Sequence, residues 1–279
     1  MFSVRVMSLE DFGFAVTLTD TMGWELVEQD FEFMMKLEPE GCFLLLDGPR
    51  KAGLATTISL GRIGWIGNVI VKNECRGKGG GRKLVEFAVQ YLKSGKAETV
   101  GLYAYMNRTH FYEQLDFRKD AEISVLKGKG TETQARSLLK KADDKDIPRI
   151  VEFDCKCFGA SREKLLKPLL LDKNNICYTA PTEGQIAGYA MAKTYGQAAW
   201  IGPLNCTKER RDIAADLLRA LLGQLGKSQI SVCVRSDDAQ FISILADLGF
   251  AESFRVARMI LGAPMVDGCM YAAESLERG

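Results

Sequence analysis

The sequence predicts an α/β chain in which one domain plan is written twice, each copy a central β-sheet flanked by helices. Three observations carry this. At 279 residues and 47% hydrophobic content, the chain has enough apolar material for two ordinary cores rather than one. Short apolar runs alternate along it with stretches of helical periodicity, a pattern that calls for a sheet with helices packed on its faces. The sequence also repeats itself. GWIG at 64–67 returns as AWIG at 199–202, so Trp65 maps to Trp200, an offset of 135. The same offset carries Cys42 onto Cys177, Gly53 onto Gly188 and Asp11 onto Asp146. Near the end of each copy QLDF at 114–117 answers DLGF at 247–250 after a small deletion.

The elements follow in order. The first copy opens with a strand at FSVRVM and a helical stretch from Leu9 to Lys36, interrupted near Gly23. Strands follow at GCFLLLDG, KAGLATTIS and GWIGNVIVK. A helix is predicted from Gly81 to about Lys93, with Leu84, Val85, Ala88 and Leu92 on one face. A strand TVGLYAY, a short helix around HFYEQL and a strand AEISVLK complete the copy. The second copy repeats the plan, with RRDIAADLLRALLGQL as its long helix and QISVCV as the next strand. Between them KGKGTETQAR, 127–136, is polar, glycine-rich and aperiodic, and is predicted to be a surface linker. Domains are therefore expected from about 1 to 130 and from about 135 to 279.

Composition narrows the function. With 37 basic and 36 acidic residues the net charge is +1, so no global field draws the chain to nucleic acid or to an anionic membrane surface. No apolar run reaches the roughly 20 residues of a bilayer span, and MFSVRVMSLEDF carries acids where a secretory leader has cations. A cytoplasmic protein is expected. The eight cysteines form no CxxC pair and there is a single histidine, so no zinc site is expected and the cysteines read as reduced thiols. Cys155 and Cys157 are either two thiols on one helix or a CxC able to bind a soft metal or pair on oxidation.

The chemistry concentrates in IGNVIVKNECRGKGGGRKLVEF, 66–87. A strand runs through a glycine-dense basic loop into a helix, whose free N–H groups and aligned peptide dipoles favour an anion. Gly77, Gly79, Gly80 and Gly81 keep side chains away from those amides and permit positive φ, while Arg76, Lys78, Arg82 and Lys83 add charge. A phosphate or pyrophosphate is the expected guest. Neither a Walker loop nor GxGxxG is present, and a plain flexible turn is the competing reading.

Arg76-x-x-Gly79-x-Gly81, following a strand and opening a helix, is similar to the Q/R-x-x-G-x-G/A signature of the GNAT acyltransferases, and FYEQLDF resembles that family's LYEKLGF. The resemblance extends over nearly the whole chain. MGWE, GCFLLLDG, WIGNVIV and RGKGGG in the first half, with AGYAMAK, WIGPL and FRVARMILG in the second, look like tandem-GNAT proteins of the YitH type. Those join a complete acetyltransferase domain to a GNAT-like domain, each a mixed sheet flanked by helices. The resemblance implies that acetyl-CoA is the donor, and that Arg76 and the stretch Gly77, Lys78, Gly79, Gly80, Gly81 and Arg82 cradle its pyrophosphate. Val69, Ile70 and Val71 would offer strand backbone to the pantetheine arm. Tyr112 matches the tyrosine that in many family members protonates the departing thiolate, after direct attack by an amine in a ternary complex, and a core aromatic is the competing reading of this residue.

Trp24, Tyr103 and Tyr105 are candidate acceptor-lining residues; the tyrosines stand where relatives often have Asp and Thr. Trp24 is alternatively plain core. Glu25 is a candidate base or cation attractor, or an exposed carboxylate. His110 reads either as a base or as a solvated residue at a helix start, and Cys75 as a bystander beside the loop. Asp116 replaces the usual glycine and is expected to take left-handed φ. The second copy reads NCTKERRDIAADL where the first has the glycine loop, so it is not expected to bind CoA in the same way. It could wall the acceptor site, form a homodimer or only support the first domain. The acceptor is expected to be a small-molecule or protein amine. Two alternatives are a non-catalytic acyl-CoA sensor and a module binding another nucleotide phosphate.

Overall fold

The computed structural model describes residues 1–131, 139–208, 210–266 and 268–279. The first half contains β1 (Phe2–Val6), α1 (Phe12–Asp20), α2 (Glu28–Leu37), β2 (Cys42–Asp47), β3 (Arg50–Leu60), β4 (Ile63–Val71), α3 (Gly80–Ser94), β5 (Thr99–Tyr105), α4 (Thr109–Glu113) and β6 (Arg118–Lys129). The second half contains β7 (Lys140–Lys141), α5 (Ile147–Phe158), α6 (Glu163–Leu171), β8 (Ile176–Thr182), β9 (Gln185–Tyr195), β10 (Ala198–Cys206), α7 (Arg211–Leu225), β11 (Gln229–Arg235), α8 (Ala239–Asp247), β12 (Ala251–Gly262) and β13 (Met270–Ala272). The predicted helix break falls between α1 and α2, with Gly23 at φ +66°. None of the described helices is long and apolar enough to cross a membrane.

The strands join into one mixed sheet in the order β1-β2-β3-β4-β5-β12-β6-β11-β13-β10-β9-β8-β7, with β10 and β11 also paired. The two halves exchange their last long strands. β12 lies antiparallel to β5 of the first half, from Val256 opposite Tyr105 to Gly262 opposite Thr99. β6 lies antiparallel to β11 of the second, from Gln229 opposite Lys129 to Arg235 opposite Ile123. The boundary expected near residue 130 thus separates sequence repeats whose strands cross over in space.

The linker reading of 127–136 needs correction. Lys127, Gly128 and Lys129 continue β6 along β11, with Lys127 also opposite Ala251 of β12, and 132–136 lie outside the described residues. Gly128 is needed there because a Cβ would meet the Phe250 ring at 2.7 Å.

Each face of the first-half sheet has its own core. On one, Leu84, Val85, Ala88 and Leu92 of α3 pack on Ile66, Val100 and Leu102, which is the face predicted from helical spacing. On the other, α1 and α2 cover Leu44, Leu54 and Ile70, and α5 and α6 of the second half cover Ile58, Ile63 and Trp65.

The repeat also fixes how each half begins. Asp11 accepts from Arg5 at 2.6 and 2.9 Å, from Lys51 at 2.6 Å and from the Ser8 N–H at 2.9 Å. Its counterpart Asp146 accepts from Lys140 at 2.8 Å and from the Asp143 N–H at 3.0 Å. Burial raises both carboxyls, and these donors outweigh it, holding them below the usual carboxylate range. A carboxyl depressed in the folded state stabilises the fold above its unfolded pKa, near 4, and loses that contribution as pH falls through its folded value. The thermal midpoint should therefore be flat above about pH 5 and fall below about pH 4. Asp11→Asn should lower the midpoint at neutral pH and reduce the acid-induced drop in a scan of unfolding against pH. An undiminished drop would assign the acid sensitivity elsewhere.

Candidate acyl-donor slot and acceptor face

β4 and β5 run parallel and paired only from Ile63 opposite Thr99 to Ile66 opposite Leu102. Beyond that point β4 bulges. Its register against β3 shifts between Leu54 and Thr56, Asn68 takes φ +52°, and its Nδ2 donates to Thr56 Oγ1 at 3.2 Å. Residues 67–71 then diverge from 103–105, and among the described residues no strand pairs with that edge. Val69, Ile70 and Val71 border the slot so formed. Asn68 was not among the residues singled out from the sequence; an asparagine beside Gly67 in a β-branched run is the signal, since Asn tolerates left-handed φ.

At the end of β4, Arg76 Nε donates to the Val71 carbonyl at 2.8 Å and folds the loop back on the strand. Gly77 and Gly79 take φ +72° and +85°, so the turn into α3 needs them as glycines. The expected conformational role does not extend to Gly80 and Gly81, which are helical. Gly80 is crowded, since a Cβ there would lie 2.9 Å from Leu45 Cδ2 and the leucine would have to shift, whereas at Gly81 the nearest atom, on Phe111, is 3.5 Å away.

The start of α3 lacks both a side-chain cap and any acidic residue in its first turn. Arg82 instead donates to Glu86 at 3.3 Å and to the Gln114 carbonyl at 3.2 Å, and Lys83 to the Phe2 carbonyl at 2.6 Å. Lys78 is exposed and donates to the Glu74 carbonyl at 2.7 Å. Cationic side chains at an uncapped helix start oppose the helix dipole, and an anion bound there would relieve both defects.

Tyr112 lies on the α3 side of the sheet, in the core shared by Val71 and Val85, with ring centroids 4.9 Å from Phe111 and 6.0 Å from Phe117. Burial pushes its phenol well above the usual range, so it is protonated at neutral pH. Asp116, closing this turn, takes the expected left-handed φ, +65°. His110 is exposed and contacts Gln114 and Glu113.

Trp24, Tyr105 and Tyr103 lie on the opposite face. Trp24 Nε1 donates to Tyr105 Oη at 2.9 Å, and Tyr105 packs on Phe254 of β12 with centroids 5.9 Å apart. Tyr103 packs on Trp65 at 5.0 Å. Its hydroxyl and Trp65 Nε1 are buried without hydrogen-bond partners among the described residues. Glu25 is exposed in the turn between α1 and α2, at φ +55°.

The second half closes both features that the first leaves open. β10 and β11 pair from Ala198 opposite Gln229 to Ile201 opposite Val232 and then part, and β13 fills the gap, pairing Leu204 and Val234 with Ala272 and Asn205 with Met270. Pro203 stands where the repeat offset places Asn68, so the positive φ of the first-half bulge is denied there. At the start of α7, Asp212 accepts from Arg210 at 2.7 and 2.8 Å, and this bond, with backbone donors at 212 and 213, holds its carboxyl at about 2. The helix carries its own anion. Cys155 is partly exposed and Cys157 buried on α5, with burial pushing the Cys157 thiol up.

The glycine assignments predict opposite effects at two neighbouring positions. Gly79→Ala should destabilise by about 1–3 kcal/mol, because alanine is strained at positive φ. Gly81→Ala, helical and uncrowded, should be neutral or stabilising by up to about 1 kcal/mol. Chemical denaturation of the two variants measures both, and equal losses would contradict the distinction.

Two family models match. The model of the acetyltransferase (GNAT) family matches residues 4–117, and that of an acetyltransferase (GNAT) domain matches 150–271. The chain is 23% identical over 242 residues to the holothin acyltransferase of Pseudoalteromonas sp. (strain SANK 73390), covering 86% of this chain and 81% of that protein. It is also 23% identical over 225 residues to YitH of Bacillus subtilis (strain 168), named an uncharacterized N-acetyltransferase, covering 78% of each. A solved structure from Pyrococcus horikoshii shares the fold with a TM-score of 0.83 at 17% identity, over all of this chain and 96% of that one. With a GNAT model matched in each half, the chain belongs to the GNAT family and is a tandem-domain acyltransferase.

Proposed function

We propose that the first half transfers an acetyl group from acetyl-CoA to a primary amine by direct attack in a ternary complex. The observation that carries this reading is the contrast between the halves. Among the described residues, only the first combines a parted strand pair that no strand fills with a basic, glycine-built helix start that has no acid in its first turn. In this reading the amides and cations of residues 76–82 hold the pyrophosphate, and the unpaired edge of β4 at Val69, Ile70 and Val71 receives the amide-bearing pantetheine arm. The amine nitrogen forms a bond to the thioester carbonyl carbon, and the C–S bond breaks. The departing thiolate takes the proton of Tyr112, and the proton shed by the amine leaves through water or through Glu25. Trp24, Tyr103 and Tyr105 wall the side from which the acceptor comes. The eight free thiols support a reducing, cytoplasmic location.

Acetyl-CoA at about 100 times its dissociation constant should stabilise the protein by roughly 2.7 kcal/mol. In thermal unfolding, Lys78→Glu/Arg82→Glu should abolish that shift while the free protein stays folded; a retained shift would contradict the pyrophosphate assignment. Tyr112→Phe should keep the shift and lose about 100-fold or more in kcat. An unchanged kcat would remove Tyr112 as the acid. Wild-type stabilisation with no turnover of any amine would favour an acyl-CoA sensor.

A further inference from the structure

β13 does not end at the slot it fills. Residues 273–279 continue across the sheet toward the first half, on the face opposite α3. Glu274 is buried and bonded to Lys193 of β9, to Arg278 Nε at 3.0 Å and to Arg278 Nη2 at 3.2 Å. Arg278 also reaches α2 of the first half, with its guanidinium 5.6 Å from the Phe33 ring centroid and 3.8 Å from Met34 Sδ. Arg162, just before α6, donates to Gly279 O at 2.9 Å. These bonds fix the backbone between positions 274 and 279 at a defined place.

That place is the far side of the first-half slot. A Cβ at Gly67, the residue before the Asn68 bulge, would lie 2.5 Å from the Glu277 carbonyl oxygen and 2.9 Å from its Cα. A Cβ at Gly101 would meet the ring of Trp65, which itself faces away from α3, and Gly67 shares that face by strand alternation. Leu276 packs in the cluster that contains Tyr103, Tyr105 and Phe254. Glu277 is partly exposed, and among the described residues its carboxylate has neither a hydrogen bond nor an ion pair, in contrast to Glu274 three residues earlier.

We infer that Glu277, delivered by the second half, is the carboxylate that binds the acceptor as its ammonium at the first-half slot, before that nitrogen gives a proton to water and attacks as the neutral amine. This rests on the donor occupying that slot. A thioester entering from the α3 side leaves only the opposite face free for the nucleophile, and that face is lined by Gly67, Tyr105 and the 276–278 backbone. Arg278 and Lys193 act on this carboxylate only at longer range, without a hydrogen bond or close ion pair, and a partly desolvated carboxylate so placed favours a contacting cation more strongly than one in open water. The aromatic wall of Trp24, Tyr105 and Phe254 suits an apolar or aromatic amine body. The second half thus supplies part of the acceptor site while its own slot is shut.

The test is steady-state kinetics of wild type, Glu277→Gln and Glu277→Asp with acetyl-CoA and a panel of primary amines including putrescine, spermidine, tyramine and a short peptide with a free N-terminus. Glu277→Gln should raise the KM of the best amine about tenfold or more, with the acetyl-CoA KM within about twofold of wild type. Glu277→Asp should recover part of the loss. Wild-type turnover with an amine KM that is unchanged in Glu277→Gln overturns the role of Glu277 and leaves the donor assignment standing. Wild type that binds acetyl-CoA yet acetylates none of the amines overturns the amine reading and the Glu277 site together. Acetyl-CoA binding lost in Glu277→Gln also overturns it, because the carboxylate would then serve the donor.

Discussion

A β-strand parted from its neighbour exposes a row of backbone N–H and C=O groups that must find partners. This sheet meets the demand twice and differently. In the second half, β13 enters the gap between β10 and β11 and takes those bonds for the chain itself. In the first half, among the described residues, no strand pairs with the β5-facing edge from Gly67 to Val71. An extended, amide-bearing ligand can do there what β13 does in its twin. The rest of the molecule follows from that asymmetry, because the exchange of β6 and β12 fuses both gaps into one sheet and directs the segment after β13 to the far side of the open one.

The electrostatics repeat the contrast. A helix start needs hydrogen-bond acceptors and favours negative charge. Neither α3 nor α7 has a side-chain cap, but at α7 the chain provides the negative charge through Asp212, ion-paired with Arg210. At α3 it provides no acid and adds Arg82 and Lys83. The half that lacks an internal anion is the half whose strand edge is open, so the two features suit the donor proposed above, running from the helix start to the slot. The buried network of Lys193, Glu274 and Arg278 ties this arrangement to the second half. Removing Glu274 would leave the buried cations Lys193 and Arg278 without their shared carboxylate.

Much of this was legible in the sequence, and the repeat was the reason. The offset that aligns Trp65 with Trp200 also aligns Asp11 with Asp146, and both carboxylates do the same structural work. The helix α3, the glycine loop and the left-handed Asp116 follow from local chemistry, and each lies where the residues place it. What was hidden depends on contacts distant in sequence. Nothing local in AEISVLK distinguishes pairing with β11 from pairing with a strand of its own half, so the exchange was invisible. The polar KGK read as linker because its glycine serves Phe250, more than a hundred residues away. Glu277 lies in a short aperiodic stretch whose meaning comes only from its place beside Gly67.

The sheet leaves one slot open, and the chain itself closes its twin with β13. Isothermal titration calorimetry of the full chain with acetyl-CoA tests this most directly, through stoichiometry. One equivalent bound per chain is the predicted result. Two equivalents would mean that β13 does not shut the second slot, and none would mean that the open edge of β4 is not a binding site for the donor.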